Sequence, residues 1–166
     1  MTQPFAIGGN ILRVDLTRRA VTVEPTAPLN LRFPAGMGVN NWLLLNETPL
    51  GKAPLDPDNP LIFTAGSLVG TMAATACRMT ISCKNVLTGG FGAASAGGNF
   101  APELKYAGFD HIVVTGRAAQ PVYIDIDDGN VTICDADGLW GETTWETEKI
   151  LRARIDRPTL ELLSIG

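Results

Sequence analysis

The feature that most constrains the fold is a pair of short alternating segments joined by a tight turn. Apolar and polar residues alternate over residues 122–126 and again over residues 131–134, and Asp-Asp-Gly-Asn separates the two segments. An Asp-Gly pair in this setting is typical of two antiparallel strands joined by a β-turn. The sequence therefore predicts a β-hairpin here. It predicts a second hairpin between residues 10–16 and 21–23, because a polar turn separates two alternating segments there as well.

Helical patterns are few and short. The clearest covers residues 143–155 and opens with a capping box, in which Thr143 and Glu146 each satisfy a backbone N–H of the first turn. Shorter helices are predicted over residues 39–47, after a glycine-rich turn, and over residues 102–107. Further strands are predicted at residues 61–64, 79–83, 111–115 and 160–165.

Length and composition complete the prediction of fold class. The 166 residues, 45% of them hydrophobic, are the usual size of one domain with a single core. We expect an α+β fold, that is, a β-rich domain of mostly antiparallel sheets with a few short helices. Residues 1–166 are interpreted as one domain. The apolar segment at residues 160–165 runs to the last residue, which suggests that this domain is incomplete at its C-terminal end.

Charge and cysteine content exclude several classes of function. The 17 acidic groups outnumber the 13 basic groups, and the net charge of −4 disfavours nucleic acid and anionic membranes as partners. Cys77, Cys83 and Cys134 are odd in number and form no CxxC pair, so they indicate neither a disulfide framework nor a zinc or iron–sulfur site. Without a basic leader or a run of 18 apolar residues, the sequence predicts a cytoplasmic protein with no membrane span.

Two stretches of small residues are the candidates for ligand binding. Residues 65–98 are rich in Gly, Ala, Ser and Thr, and Arg78 stands among them with little bulk to cover its guanidinium, which is suited to binding phosphate or carbonyl oxygens. The second stretch is a glycine-rich loop with Ser95, Gly97 and Gly98, where free backbone N–H groups and absent side chains would admit a ligand. Each pattern alone is more typical of turns that serve folding. No P-loop or GxGxxG motif supports nucleotide binding.

Catalytic side chains and metal ligands are not evident. The single histidine, His111, lies beside Asp110 at the start of an apolar strand, where a hydrogen-bonded structural role is the more common one. No serine or cysteine has a histidine partner at a recognisable spacing. The sequence therefore assigns no catalytic residue and no metal ligand within this chain.

Several short blocks, in one order along nearly the whole chain, carry a family resemblance. They are GNILRVDL at 9–16, AGMG at 35–38, PLIFTAGSLVGT at 60–71, CR at 77–78, LTG at 87–89, GGNFAPELKYAGFD at 97–110, GRA at 116–118, PVYI at 121–124 and LWG at 139–141. Together they resemble the N-terminal domain of the tungsten-containing aldehyde:ferredoxin oxidoreductase family. The block at residues 97–110, at its distance from Arg78, is the most specific of them.

The resemblance implies a cofactor and a set of contacts. Members of this family oxidise aldehydes to carboxylic acids with a tungsten bis-pterin cofactor (tungstopterin), and pass electrons through a 4Fe-4S cluster to ferredoxin or another iron-sulfur carrier. Their N-terminal domain is the β-rich base on which the cofactor sits. By this resemblance a pterin contact is carried to Arg78, and glycine-loop contacts are carried to Ser95, Gly97 and the adjacent Gly98. The cluster would be ligated outside this chain.

Departures from the family pattern keep an alternative open. Ser95 stands where the family often has asparagine, Ala35 replaces a usual glycine and Ser67 replaces a proline. Family members also continue past Ser-Ile-Gly into a second cofactor loop and helical domains. We therefore expect remaining domains or a partner subunit to complete catalysis, and expect this chain alone to be inactive. The alternative is a non-catalytic scaffold or assembly subunit that keeps the fold without binding the cofactor. The substrate aldehyde and the choice of tungsten or molybdenum are not encoded here.

Overall fold

A six-stranded sheet forms the centre of the structure, a computed structural model that describes residues 8–33 and 36–165. Within those residues the strands are β1 Asn10–Asp15, β2 Ala20–Pro25, β3 Leu61–Ala65, β4 Met79–Lys84, β5 Phe91–Ala96, β6 Phe109–Thr115, β7 Val122–Asp127 and β8 Asn130–Asp135. The helices are α1 Ala27–Asn30, α2 Met37–Glu47, α3 Phe100–Tyr106 and α4 Thr144–Ile155. Ala35, one of the departures from the family pattern, lies outside the described residues, as does the last residue of the chain.

The sheet is mostly antiparallel, as predicted. Its strand order is β2-β1-β6-β3-β4-β5, and β7 and β8 form a separate two-stranded sheet. Both predicted hairpins are confirmed, since β1 pairs with β2 and β7 with β8 in antiparallel register. One pair is parallel: β1 pairs with β6, which follows it about 100 residues later in the chain. The predicted α+β class is confirmed.

The predicted helices begin and end close to the expected residues. The hydroxyl of Thr143 accepts a hydrogen bond from the backbone N–H of Glu146 at 3.3 Å, so the N-terminal cap of α4 has formed. Farther along this helix, Arg152 pairs with Glu148 one turn earlier at 2.9 Å. Side chains three and four residues apart meet on a helix surface, and this pair therefore steadies α4.

Both faces of the central sheet are covered in its middle. On one face, Ile11, Ile62 and Val113 pack against α2 through Val39 and Leu43. The opposite face is covered by α3 and by the β7–β8 hairpin, and its buried residues are Leu12, Val14, Leu104, Phe109 and Ile112. Burying one such side chain contributes about 1.5–3 kcal/mol, so these two layers are the main apolar source of stability.

A buried carboxylate ties the N-terminal segment to the sheet. Asp110 on β6 is 1% exposed. It accepts hydrogen bonds from the backbone N–H of Gly8 at 2.7 Å and of Gly9 at 2.9 Å. The Thr26 hydroxyl donates a third bond at 2.9 Å. The Nζ atom of Lys105 lies 3.8 Å from the carboxylate, so the buried negative charge has a cationic neighbour.

His111 has the buried, hydrogen-bonded position that the sequence predicts. Its Nδ1 atom lies 2.5 Å from the hydroxyl of Thr64, and that hydroxyl donates to Asn40 Oδ1 at 2.6 Å. Because the single hydroxyl proton is used on Asn40, the geometry assigns the histidine proton to Nδ1. Asn40 continues the chain of contacts by donating to the Ser82 hydroxyl at 2.9 Å, which links α2 to the sheet below it.

Two segments differ from their predicted structure. Residues 160–165, predicted as a strand, form no strand in the described part of the chain. Instead Leu160 and Leu162 pack against a small cluster formed by Ala136, Leu139 and Leu151. The second difference is β5, which was predicted as part of a loop. Its residues are mostly Gly and Ala, which favour a strand only weakly, and pairing with β4 decides its conformation.

Acid should destabilise the fold through His111. Burial lowers the pKa of its imidazole from the ordinary 6.5 to about 4. The unfolded chain then binds this proton at a higher pH than the folded chain. Stability is therefore fully present above pH 6.5 and falls as the pH drops toward 4, by roughly 3 kcal/mol.

Urea unfolding at several pH values between 7 and 4 measures this loss. In a His111→Gln variant, whose amide donor keeps the bond to Thr64, we expect a smaller decrease over the same interval. Carboxylates titrate in both proteins, so the difference between the two curves isolates the histidine. Parallel curves would contradict the assignment.

Candidate functional site

The predicted ligand-binding residues meet at one end of the central sheet. The ladder between β4 and β5 ends at the pair Met79 and Ala96. Continuing that register by one residue sets Arg78 opposite Gly97, where the two strands leave the sheet. Ser95 lies one residue inside this end, on β5. We refer to Arg78, Ser95, Gly97 and Gly98 together as the sheet-end site.

Ser95 is in a strand and not in the predicted loop. It pairs with Thr80 on β4, and its side chain is exposed. The loop itself begins at Gly97. Asn85, a residue type common in turns, is the sequence signal that could have indicated this strand. Its side-chain oxygen accepts hydrogen bonds from the backbone N–H groups of Leu87 and Thr88, which closes a tight turn between β4 and β5.

The two glycines of the sheet-end site leave its backbone uncovered. A Cβ atom at Gly97 or at Gly98 would meet no other atom within 4 Å. Gly98 also has φ +103, a conformation that side chains other than that of glycine rarely adopt. The backbone at these two residues is therefore accessible from solvent.

Arg78 has an exposed side chain that is not used for holding the fold. Among residues 8–33 and 36–165, its guanidinium forms no ion pair and no hydrogen bond, whereas its backbone carbonyl accepts a bond from Gly66 N–H at 3.4 Å. Three residues earlier, Thr75 has φ +62. Positive φ at a β-branched residue costs about 1–3 kcal/mol and occurs most often at functional sites. The cation is thus positioned by its backbone and available to a ligand.

No metal site accompanies these residues in the described ranges. Groups of three or more His, Cys, Asp or Glu side chains that could hold a metal ion do not occur in residues 8–33 and 36–165. The three cysteines are free thiols. The same residues contain no helix long and apolar enough to cross a membrane. A metal at the sheet-end site would need ligands from another source.

An apolar cleft lies apart from the sheet-end site. This cleft of about 850 Å³ lies between α3, α4, the β7–β8 hairpin and residues 159–165. Its walls are mainly apolar, with Phe63, Ile124 and Leu162 among them. It contains none of the four residues of the sheet-end site.

Comparison with known proteins places the chain in a family. The sequence model described as aldehyde ferredoxin oxidoreductase, N-terminal domain, matches residues 11–166. The tungsten-containing aldehyde ferredoxin oxidoreductase of Pyrococcus furiosus is 40% identical over 159 residues, which are 95% of this chain and 26% of that protein. The enzyme of the same name from Thermococcus kodakarensis is 42% identical over 159 residues, again 95% of this chain and 26% of that protein.

A solved structure has the same fold. It is the active site complex BamBC of benzoyl coenzyme A reductase in complex with 1,5-dienoyl-CoA. The TM-score is 0.90 at 35% sequence identity, and the match covers 95% of this chain and 24% of that one. The chain therefore spans about a quarter of the length of the proteins that it matches.

The neighbouring glycines of the sheet-end site offer a matched pair of substitutions. Gly98→Ala should lower the free energy of unfolding by about 1–2 kcal/mol, because an L residue is strained at φ +103. Gly97→Ala should have little effect, since Gly97 is outside the left-handed region and its Cβ would meet open space. Urea unfolding of the two variants checks this difference. Equal losses of stability would show that the loop conformation is not the one described.

Proposed function

The chain belongs to the aldehyde ferredoxin oxidoreductase family, and from that premise we propose that it forms the cofactor-binding base of a bis-pterin tungsten oxidoreductase. The reaction proposed for the complete enzyme is the oxidation of an aldehyde to a carboxylic acid. The observation that carries this proposal is the sheet-end site: the exposed guanidinium of Arg78 has no partner among residues 8–33 and 36–165, and Arg78 lies opposite Gly97, the first of two uncovered glycines.

Each residue of the sheet-end site has a distinct role toward the cofactor. The guanidinium of Arg78 donates paired hydrogen bonds to anionic or carbonyl oxygens of a pterin and its phosphate. Gly97 and Gly98 let the ring system approach the backbone because they carry no Cβ. The hydroxyl of Ser95 offers one donor and fewer bonds than the amide of asparagine would.

When bound, the metal centre would supply the two-electron oxidation. This chain's own part is to hold the organic portion of the cofactor in one place. A fixed position preserves the distance between the cofactor and its redox partners, which other parts of the enzyme provide.

The remaining parts of the enzyme are expected in further domains or in a partner subunit. The chain spans 26% of the length of its Pyrococcus relative, and its structural neighbour is a multi-subunit complex. We assign to those parts the substrate pocket, the ligands of a 4Fe-4S cluster and the docking of ferredoxin or another iron-sulfur carrier. A cytoplasmic location agrees with the three free cysteines.

Substrate choice is assigned to parts of the enzyme outside this chain. The structural neighbour is an active site complex of a benzoyl coenzyme A reductase, in complex with 1,5-dienoyl-CoA. A shared base thus accompanies different reactions, and substrate choice belongs to other parts of the enzyme. Ser95, at a position where an asparagine is usual, favours the second candidate, a scaffold or assembly subunit that has kept the fold without the cofactor.

Metal and pterin analysis separates the two candidates. The protein is isolated from its native host with any partner chains retained, and tungsten, molybdenum and oxidised pterin are quantified per chain. We expect tungsten and two pterins per catalytic unit. Background levels of both metals and of pterin in an intact complex would favour the scaffold.

Replacing Arg78 tests the sheet-end site itself. Arg78→Ala in the native complex should reduce pterin and metal content several-fold, because the cofactor loses its charge-assisted bonds. The unfolding temperature should stay nearly the same, since the side chain is exposed. Arg18→Ala is the control, because this exposed arginine lies in the β1–β2 turn at the opposite end of the sheet. Full cofactor content in the Arg78 variant would remove its assigned role.

A further inference from the structure

The loop between β3 and β4 is exposed but has little apolar anchoring of its own. It covers residues 66–78 and ends at Arg78. Only Val69 has a buried apolar side chain there, whereas Leu68 is 60% exposed and Met72 is 101% exposed. Small side chains account for most of the rest. A segment of this kind is expected to be mobile unless polar contacts hold its backbone.

Such contacts come from the buried lysine of α3. Lys105 is 8% exposed, which is unusual for an ammonium group. Its Nζ atom donates to the carbonyl of Gly66 at 3.2 Å and to that of Ser67 at 3.1 Å. The buried carboxylate of Asp110, 3.8 Å away, balances its charge. The lysine therefore clamps the start of the loop with a compensated buried cation.

Gly66 connects the clamp to Arg78. Gly66 accepts from Lys105 through its carbonyl, and its N–H donates to the carbonyl of Arg78 at 3.4 Å. The first and last residues of the loop, Gly66 and Arg78, are thus hydrogen-bonded to each other. Lys105 fixes this contact through its own bond to the Gly66 carbonyl. A second contact comes from the next residue of α3, since the hydroxyl of Tyr106 donates to the carbonyl of Gly70 at 3.3 Å.

We propose that Lys105 is a positioning residue for the cofactor: it fixes the β3–β4 loop so that the guanidinium of Arg78 is presented at the sheet-end site. This inference rests on the proposed function, because it concerns the same site. Lys105 touches no cofactor itself. It acts through Gly66, and its removal lets the end of the loop move while the sheet below stays formed.

Cys77 provides a local probe of the loop, because this thiol directly precedes Arg78 and is partly exposed. Cys83 on β4 and Cys134 on β8 are partly exposed as well and serve as internal references. Alkylation by iodoacetamide is followed for each cysteine peptide by mass spectrometry in the native complex. To separate loop motion from cofactor loss, Arg78→Ala is compared with the double variant Lys105→Met and Arg78→Ala.

We expect the double variant to label Cys77 several-fold faster than Arg78→Ala alone, with unchanged rates at the other two cysteines. Leu104→Ala is the structural control, because Leu104 is buried on the same helix but donates to no carbonyl of the loop. It should raise all three rates together. Equal Cys77 rates in the two arginine variants, or a parallel rise at all three cysteines in the double variant, would overturn the proposal.

Cofactor content gives the second readout. Lys105→Met should lower pterin content several-fold, and the double variant should hold no less pterin than Arg78→Ala alone, since both residues act through one contact. Lys149→Met, at an exposed lysine of α4, should keep the content of the unaltered protein. Full pterin content in Lys105→Met, or independent losses that multiply in the double variant, would overturn the inference.

If the unaltered complex itself lacks pterin, the proposed function fails, whereas the Cys77 comparison still decides whether Lys105 holds the loop.

Discussion

The buried pair of Asp110 and Lys105 is the interaction on which the rest of the structure depends. Around one carboxylate and one ammonium group, the chain joins its N-terminal segment, the Thr26 hydroxyl before α1, strand β6, helix α3 and the loop that ends at Arg78. The Asp110 carboxylate keeps three hydrogen-bond donors, Gly8, Gly9 and Thr26, when Lys105 is removed, so we expect that removal to cost less than the about 3–5 kcal/mol typical of a buried pair that loses one partner. The desolvation cost of the pair is offset by the number of backbone groups that it satisfies. Burial lowers the pKa of the Lys105 ammonium, and the carboxylate opposes that shift.

Local patterns in the sequence predict most of the elements, and contacts between distant segments account for what was missed. The Asp-Gly turn and the Thr143 capping box each define an element from adjacent residues, so the β7–β8 hairpin and α4 were predictable. Strand β5 has no pattern of its own and exists because β4 offers it a partner. The opposite case is residues 160–165, whose apolar pattern suits a strand but which have no neighbouring strand in the described ranges.

The family resemblance selects the residues of the sheet-end site, whose role stays a prediction, but it does not show how they come together. No spacing rule sets Arg78 opposite Gly97, because that neighbourhood follows from the register between β4 and β5. Lys105 was missed as part of the same arrangement. A lysine in a short helix normally faces water, and only the fold shows that two carbonyls and a carboxylate surround it. Buried polar groups satisfied by remote backbone leave no signature in a single sequence.

The parallel pairing of β1 with β6 has a consequence for the order of events during synthesis. β1 leaves the ribosome about 100 residues before β6, and during this interval its inner edge is unpaired. At ordinary rates of translation this interval lasts about 5–20 s. During that time the β1–β2 hairpin has an open edge, and the Asp110 carboxylate that holds the N-terminal segment does not yet exist. On the proposed function, the base for the cofactor is complete only after β6 has paired, so cofactor insertion would follow translation of this region.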